Sequence, residues 1–178
     1  MSANVRKEII SWIITIAFAF ILAIFINKVI IVNATVPTGS MENTIMPKDR
    51  IIALRLSYVF GSPERGDIAV FEYPDTPEGE KPILYVKRII GLPGDKIEIK
   101  DGKVYINGAE EPLSEDSYLK ELPAGDFGPY EVPEDAYFML GDNRNDSLDS
   151  RFWSNTFVMK DKILGKVIFR YFPSFKLM

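Results

Sequence analysis

Histidine and cysteine are both absent from the 178-residue sequence. Without histidine there is no Ser-His-Asp triad, no imidazole base and no ordinary zinc-enzyme ligand set. Without cysteine there is neither a disulfide nor a thiol nucleophile. A hydrolase on this chain must therefore draw its base from lysine or a carboxylate. Positive charge is in deficit too: residues 1–32 hold Arg6, Lys7 and Lys28 against Glu8, which leaves 18 basic and 24 acidic residues, net −6, in the remainder. That balance disfavours nucleic acid as a partner. The length suits one modest core plus an appendage, and no internal repeat or low-complexity tract is present.

What is present begins with an apolar run. Residues 9–26 are interrupted only by Ser11 and Thr15, and as a helix rising ~1.5 Å per residue they span roughly 27 Å, the thickness of a bilayer's hydrocarbon core. Arg6 and Lys7 flank the run on one side, residues 33–47 hold no Lys or Arg, and Lys28 can snorkel to the far interface. This predicts residues 1–8 in the cytoplasm, 9–32 as a transmembrane anchor and exit, and 33–178 as an extracytoplasmic domain. A cleaved signal peptide ending at Val32-Asn33-Ala34 competes with that reading, but the apolar run is longer than such segments use.

Beyond the anchor the pattern turns to period two and short apolar runs separated by turn residues, which predicts a mainly β, antiparallel domain. Strands are expected over 50–57, 67–73, 83–90, 96–100, 103–107, 136–140 and 163–172. Asp101-Gly102 is the clearest hairpin turn and Asn107-Gly108 a second. Residues 110–133 are acidic and rich in Pro and Gly, and read as a solvated surface excursion within a hairpin-and-loop region of about 96–135. The excursion contains Ser117-x-x-Lys120, a formal match to the motif of penicillin-binding enzymes. Their companion elements are missing and they set the motif on a buried helix.

A serine nucleophile with a lysine base needs that lysine neutral, and burial away from carboxylates is what lowers its pKa. Ser40 follows Gly39 a short distance beyond the anchor, and Lys87 lies in an apolar strand, Ile83-Leu84-Tyr85-Val86-Lys87-Arg88-Ile89-Ile90. Alternation sends Lys87 and Arg88 to opposite faces, one inward and the other to solvent, without saying which. An exposed pair blocking an edge strand is the competing reading. Residues 141–151, Gly-Asp-Asn-Arg-Asn-Asp-Ser-Leu-Asp-Ser-Arg, form the densest polar run. As an EF-hand they fail, with Arg144 and Ser147 where an oxygen ligand and Gly are needed. They can instead form a hydrogen-bonded corner, with Asp149 and Arg151 as a bidentate pair and Ser147 free to meet a buried amine. Trp153, Phe157, Phe172 and Phe175 are candidates for dipping into a membrane interface, with aromatic core as the commoner role.

Four segments in order resemble the sequence boxes of bacterial type I signal peptidases: Pro37-Thr38-Gly39-Ser40-Met41, residues 65–71, residues 85–95 and residues 141–151. With the anchor and the closing strand, the likeness covers most of the chain. It implies an antiparallel sheet or partly open β-barrel of the signal-peptidase or LexA-like type, carrying a Ser/Lys endopeptidase. In that family Ser40 would be the nucleophile, Lys87 the base, and Ser147 the residue that orients it. Thr38 would share the oxyanion with the Ser40 N–H, and Asp149 with Arg151 would form a structural pair near the site. The resemblance further implies signal-peptide-bearing precursors as substrates, lying extended beside Val36, Pro37 and Gly39 with Tyr85 in the binding surface, and partners in the lipid bilayer and the export machinery. No cofactor or metal is implied. Two departures concern local geometry: Asn43 stands where many members have Pro, and Asn145-Asp146 replaces the more usual pairs before the serine. A membrane-anchored β module that binds without cutting, and a self-cleaving repressor-type protease, are the alternatives. The first has no need of a buried, proton-free lysine, and the second ordinarily carries a DNA-binding segment where this chain has its anchor.

Overall fold

Residues 3–30 contain neither proline nor glycine, so nothing in them opposes a helix. In the computed structural model, which describes residues 3–178, α1 runs Ala3–Phe25 and widens into a π-turn over Ile26–Ile30. Its apolar side chains point outward all round, Trp12, Ile13, Phe18, Phe20 and Ile21 among them. Such a surface is stable only in an apolar medium, and Arg6–Ile30 is long and apolar enough to cross a membrane. Met1 and Ser2, the start of the segment expected in the cytoplasm, lie outside the described residues.

The chain then becomes almost entirely antiparallel β. The strands are β1 (Ile31–Thr35), β2 (Arg50–Leu54), β3 (Ile68–Glu72), β4 (Leu84–Gly91), β5 (Lys96–Lys100), β6 (Lys103–Ile106), β7 (Phe127–Glu131), β8 (Ala136–Leu140), β9 (Val158–Met159), β10 (Ile163–Phe172) and β11 (Lys176–Leu177). One sheet runs β1-β2-β10-β3-β4-β8-β9, with β11 added beside β10, and a smaller sheet runs β6-β5-β7. The larger sheet has β1 and β9 as its ends and is not closed into a barrel among the described residues.

All seven expected strands are present, and four more accompany them. β3 and β8 read as unbroken apolar runs because both of their faces are covered. Ile68 and Val70 enter one cluster with Val32, Met41, Ile45 and Val167. Ala69 and Phe71 enter another with Ile89, Met139 and Trp153. Phe138 and Leu140 join Ile97, Ile99 and Val104 beneath the small sheet. Burying a side chain of this size contributes about 1.5–3 kcal/mol, so these clusters fix the positions of β3, β4 and β8 firmly. β4 lies between β3 and, from Arg88 onward, β8, and with Lys87 3% and the Arg88 side chain 11% exposed the two are not an exposed pair blocking an edge.

Trp153 is core at 5% exposure, whereas Phe172 and Phe175 are open to solvent. The excursion is not simply solvated. It contributes β7 to the small sheet, Leu113 N–H donates to the Val104 carbonyl, and Glu115 is buried.

Candidate active site

Ser40 is carried by the connection from β1 to β2, a succession of tight turns. Glu42 N–H donates to the Gly39 carbonyl at 2.9 Å and Ile45 N–H to the Met41 carbonyl at 2.8 Å. Met41 and Ile45 anchor the turn from beneath, both buried. Asn43 sits at its crest with φ +84°, a left-handed conformation that asparagine tolerates. Proline, fixed near −65°, cannot occupy it, so this chain forms the turn differently from members that carry Pro there.

The middle of β4 brings Lys87 to this turn. Lys87 is 3% exposed and its Nζ is in hydrogen-bond contact with Ser40 Oγ, itself only 9% exposed. Burial pushes the Lys87 amine down from the ordinary 10.5 to about 8, because the ammonium loses its hydration. The Asp149 and Asp142 carboxylates pull the other way, and Arg151 offsets part of that pull. Burial is the largest of these effects. The amine also lies 5.5 Å from the centroid of the Tyr85 ring.

Residues 141–151 close over Ser40 and Lys87 from a third direction. Asn143 N–H donates to the Ser40 carbonyl at 3.1 Å and its side-chain amide to the Gly39 carbonyl at 3.1 Å. Asp149 and Arg151 form a bidentate pair, Nε to Oδ1 at 2.8 Å and Nη2 to Oδ2 at 2.9 Å, while the same carboxylate accepts the Gly141 N–H. Ser147 is buried, and its hydroxyl has no hydrogen-bond partner among the described residues. A buried orphan hydroxyl is uncommon. Gly141 is glycine for a steric reason: a Cβ there would come well inside 3.0 Å of both Ser147 Oγ and the Ser40 carbonyl oxygen.

Beside Ser40 opens a cleft of about 720 Å³ lined by Val36, Pro37, Thr38, Gly39, Ile83, Tyr85 and Leu148 among others. A second groove, of about 640 Å³, lies beyond Tyr73 and Pro82 and contains neither Ser40 nor Lys87. Ser40, Lys87, Ser147, Asp149 and Arg151 thus share one centre, and Val36, Pro37, Thr38, Gly39 and Tyr85 line the cleft leading to it. Ser117 and Lys120 lie exposed on and beside a turn, not on a buried helix. No group of three or more His, Cys, Asp or Glu among the described residues is arranged to hold a metal ion.

One expectation needs correcting. Arg88 does not reach solvent; it donates to Asp142, Nε to Oδ1 at 2.8 Å and Nη2 to Oδ2 at 2.6 Å, and to the Gly66 carbonyl at 2.6 Å. The Thr44 hydroxyl donates to the same Asp142. The Lys87 strand and the Ser40 turn are therefore also tied on the side away from the Ser40–Lys87 contact. An arginine on a strand covered on both faces has to find a carboxylate, and that requirement was the available signal for Asp142.

The family model described as "Signal peptidase, peptidase S26" matches residues 9–172. Among curated proteins, a probable signal peptidase I-2 of Synechocystis sp. is 41% identical over 160 residues, covering 89% of this chain and 71% of that one. A signal peptidase IB of Staphylococcus aureus is 35% identical over 183 residues, covering 94% and 92%. Among solved structures, a signal peptidase I of Enterococcus faecalis is 37% identical with a TM-score of 0.48, covering 58% of this chain and 95% of that one.

Proposed function

The chain belongs to the signal peptidase family, peptidase S26, a family of serine endopeptidases that remove signal peptides, and we propose that Ser40 and Lys87 are the dyad with which it cuts. The contact between Ser40 Oγ and the buried Lys87 amine carries this reading. Neutral Lys87 accepts the Ser40 proton as Oγ adds to the scissile carbonyl. The Ser40 N–H and the Thr38 hydroxyl receive the oxyanion, a stabilisation of about 3 kcal/mol for one such donor. The intermediate collapses to an acyl-enzyme as Lys87 returns the proton to the departing amine of the mature protein. Lys87 then takes a proton from water as it attacks the ester, and returns that proton to Ser40 Oγ as the signal peptide leaves. The Ser147 hydroxyl, with no other partner, is suited to orient the amine between these transfers. Asp149 and Arg151 hold the corner that carries it.

The substrate lies extended in the cleft. β4 has β3 along one side, but pairs with β8 only from Arg88 onward, so the opposite edge of its first half is available for an added strand. Val36 contributes its side chain and not its backbone, since its N–H and C=O are already bonded to Asp49 and Lys48. Shallow apolar walls from Val36, Pro37, Gly39 and Tyr85 admit small residues before the cut, which suits A-x-A-like processing sites.

With α1 as anchor, residues 1–8 lie in the cytoplasm and 33–178 on the outer face of the membrane, as the flanking Arg6 and Lys7 favour. Signal-peptide-bearing precursors reach the site through the bilayer and the export machinery. Incubating the detergent-solubilised full chain with a synthetic signal peptide tests the assignment. Ser40→Ala is expected to lower cleavage on the order of 10⁴-fold, and cleavage unchanged by that substitution would remove Ser40 from the mechanism.

A further inference from the structure

The excursion between β6 and β7 touches the machinery at two points that the reaction itself does not use. The ring of Tyr118 lies against the Arg88 guanidinium, 4.0 Å from its carbon to the ring centroid. The Tyr118 hydroxyl donates to Glu115 Oε1 at 2.7 Å. Glu115, 6% exposed, forms a two-pronged ion pair with Arg144, 3% exposed. Arg144 in turn donates from Nε to the Gly141 carbonyl at 3.0 Å, and its own carbonyl accepts from Arg151 Nη2 at 2.6 Å. One short loop thus covers the arginine next to Lys87 in sequence and grips the segment that carries Ser147 and Asp149.

We propose that Tyr118, braced by Glu115, is a positioning residue that holds Arg88 on Asp142 and so keeps the base strand, the nucleophile turn and residues 141–151 in register. The inference rests on the reading of Lys87 as the base. Arg88 makes three donor contacts, two of them to Asp142, while Asp142 also accepts from Thr44 in the Ser40 turn. Tyr118 covers one face of the guanidinium, whose side chain is only 11% exposed. Cation–π contact and desolvation both strengthen its pairing with Asp142.

The lock also has an electrostatic consequence. The charged and titratable groups around Lys87 are Asp142, Asp149 and Arg151 from residues 141–151, with Asp146 at the cleft rim, and Tyr85 and Arg88 from its own strand. β3 places Ala69 opposite Lys87 and adds no charge there. Each of the two nearest carboxylates has its own arginine: Arg151 on Asp149, and Arg88 on Asp142. If the cover over Arg88 is lost and the guanidinium swings into water, Asp142 faces Lys87 uncompensated and favours its protonated form.

Cleavage of a synthetic signal peptide by the solubilised full chain, followed as kcat/KM against pH, tests this with three variants. Tyr118→Phe keeps the ring but loses the brace to Glu115, and is expected to shift the profile by a smaller step than Tyr118→Ala. Tyr118→Ala is expected to move the acidic limb upward by about half a pH unit, with a loss of about threefold at pH 7 that shrinks above pH 9. Tyr118→Leu, which retains bulk without a π face, should shift the limb in the same direction by a smaller step; it carries the test should the alanine variant not fold. A loss in Tyr118→Ala or Tyr118→Leu that is equal at every pH marks a merely structural contact and overturns the proposal, as does an unchanged profile. Failure of the dyad reading is distinguishable, because it would appear as a wild-type profile without the Lys87 limb or as an active Ser40→Ala variant.

Discussion

Lys87→Met is expected to lower signal-peptide cleavage on the order of 10⁴-fold or more and, below pH 8, to make the protein more stable. The two effects have one cause. Methionine fills the buried path of the lysine stem but removes the amine that shares a hydrogen bond with Ser40. In the native state the amine titrates near 8 and in the unfolded chain near 10.5, so between these values the unfolded state binds more protons. Stability of the unmodified protein accordingly rises with pH across that window and carries the full cost of the buried ammonium below it. The difference amounts to about 3 kcal/mol. Thermal melts of the two proteins at pH 6 and pH 10 should show the methionine variant ahead at pH 6 and the gap narrowing at pH 10. A variant that loses activity and also melts earlier at pH 6 would mean that the lysine is a structural cation, not a desolvated base.

Gly141→Ala is the second large effect. The added methyl has no room, because Ser147 Oγ lies on one side and the Ser40 carbonyl on the other. The Ser40 carbonyl is held by the Asn143 N–H and the Gly141 N–H by Asp149, and rotating the Ser147 hydroxyl away gives no relief because the Ser147 Cβ would itself lie 2.6 Å from the methyl. The substitution therefore displaces Ser40 or the Ser147 hydroxyl by a fraction of an ångström or more, and displacements of about 1 Å at a reacting centre cost roughly 100-fold. Cleavage by Gly141→Ala is expected to fall by that order in kcat while the β domain remains folded by circular dichroism. Near-normal kcat would show that the corner between β8 and Ser147 is more yielding than its hydrogen bonds suggest.

What the residues alone disclosed, and what they hid, follows from how local each signal is. Ser40 and Lys87 were singled out because the missing histidine left a serine only lysine or a carboxylate as its base, and Lys87 lies in an apolar strand. β2 through β6, β8 and β10 were legible from apolar runs and from the Asp101-Gly102 turn. β1 was not, because Ile31 and Val32 continue the apolar run of the anchor, and a short apolar segment looks the same as helix or strand. β7 was hidden by Gly128 and Pro129, residues that ordinarily mark a loop. β9 and β11 have two residues each, too few for any periodicity.

In the site, the Arg88–Asp142 pair joins residues 54 apart and Arg144–Glu115 residues 29 apart. Nothing in either neighbourhood names its partner. The excursion looked solvated by composition, yet Glu115 and Tyr118 are what it lends to the interior. Asn43 also became intelligible only with its φ angle, since a turn crest that requires the left-handed region is invisible in a single letter.

The pH dependence of kcat/KM for the unmodified protein tests the neutral-lysine mechanism most directly, using a signal peptide without groups that titrate between pH 6 and 11. Free-enzyme base ionisation controls this quantity, so it should rise about tenfold per pH unit below a midpoint near 8 and level off above it. A midpoint near 10.5, the value of a solvated lysine, or a rate indifferent to pH across the range, would contradict Lys87 as the buried base that activates Ser40.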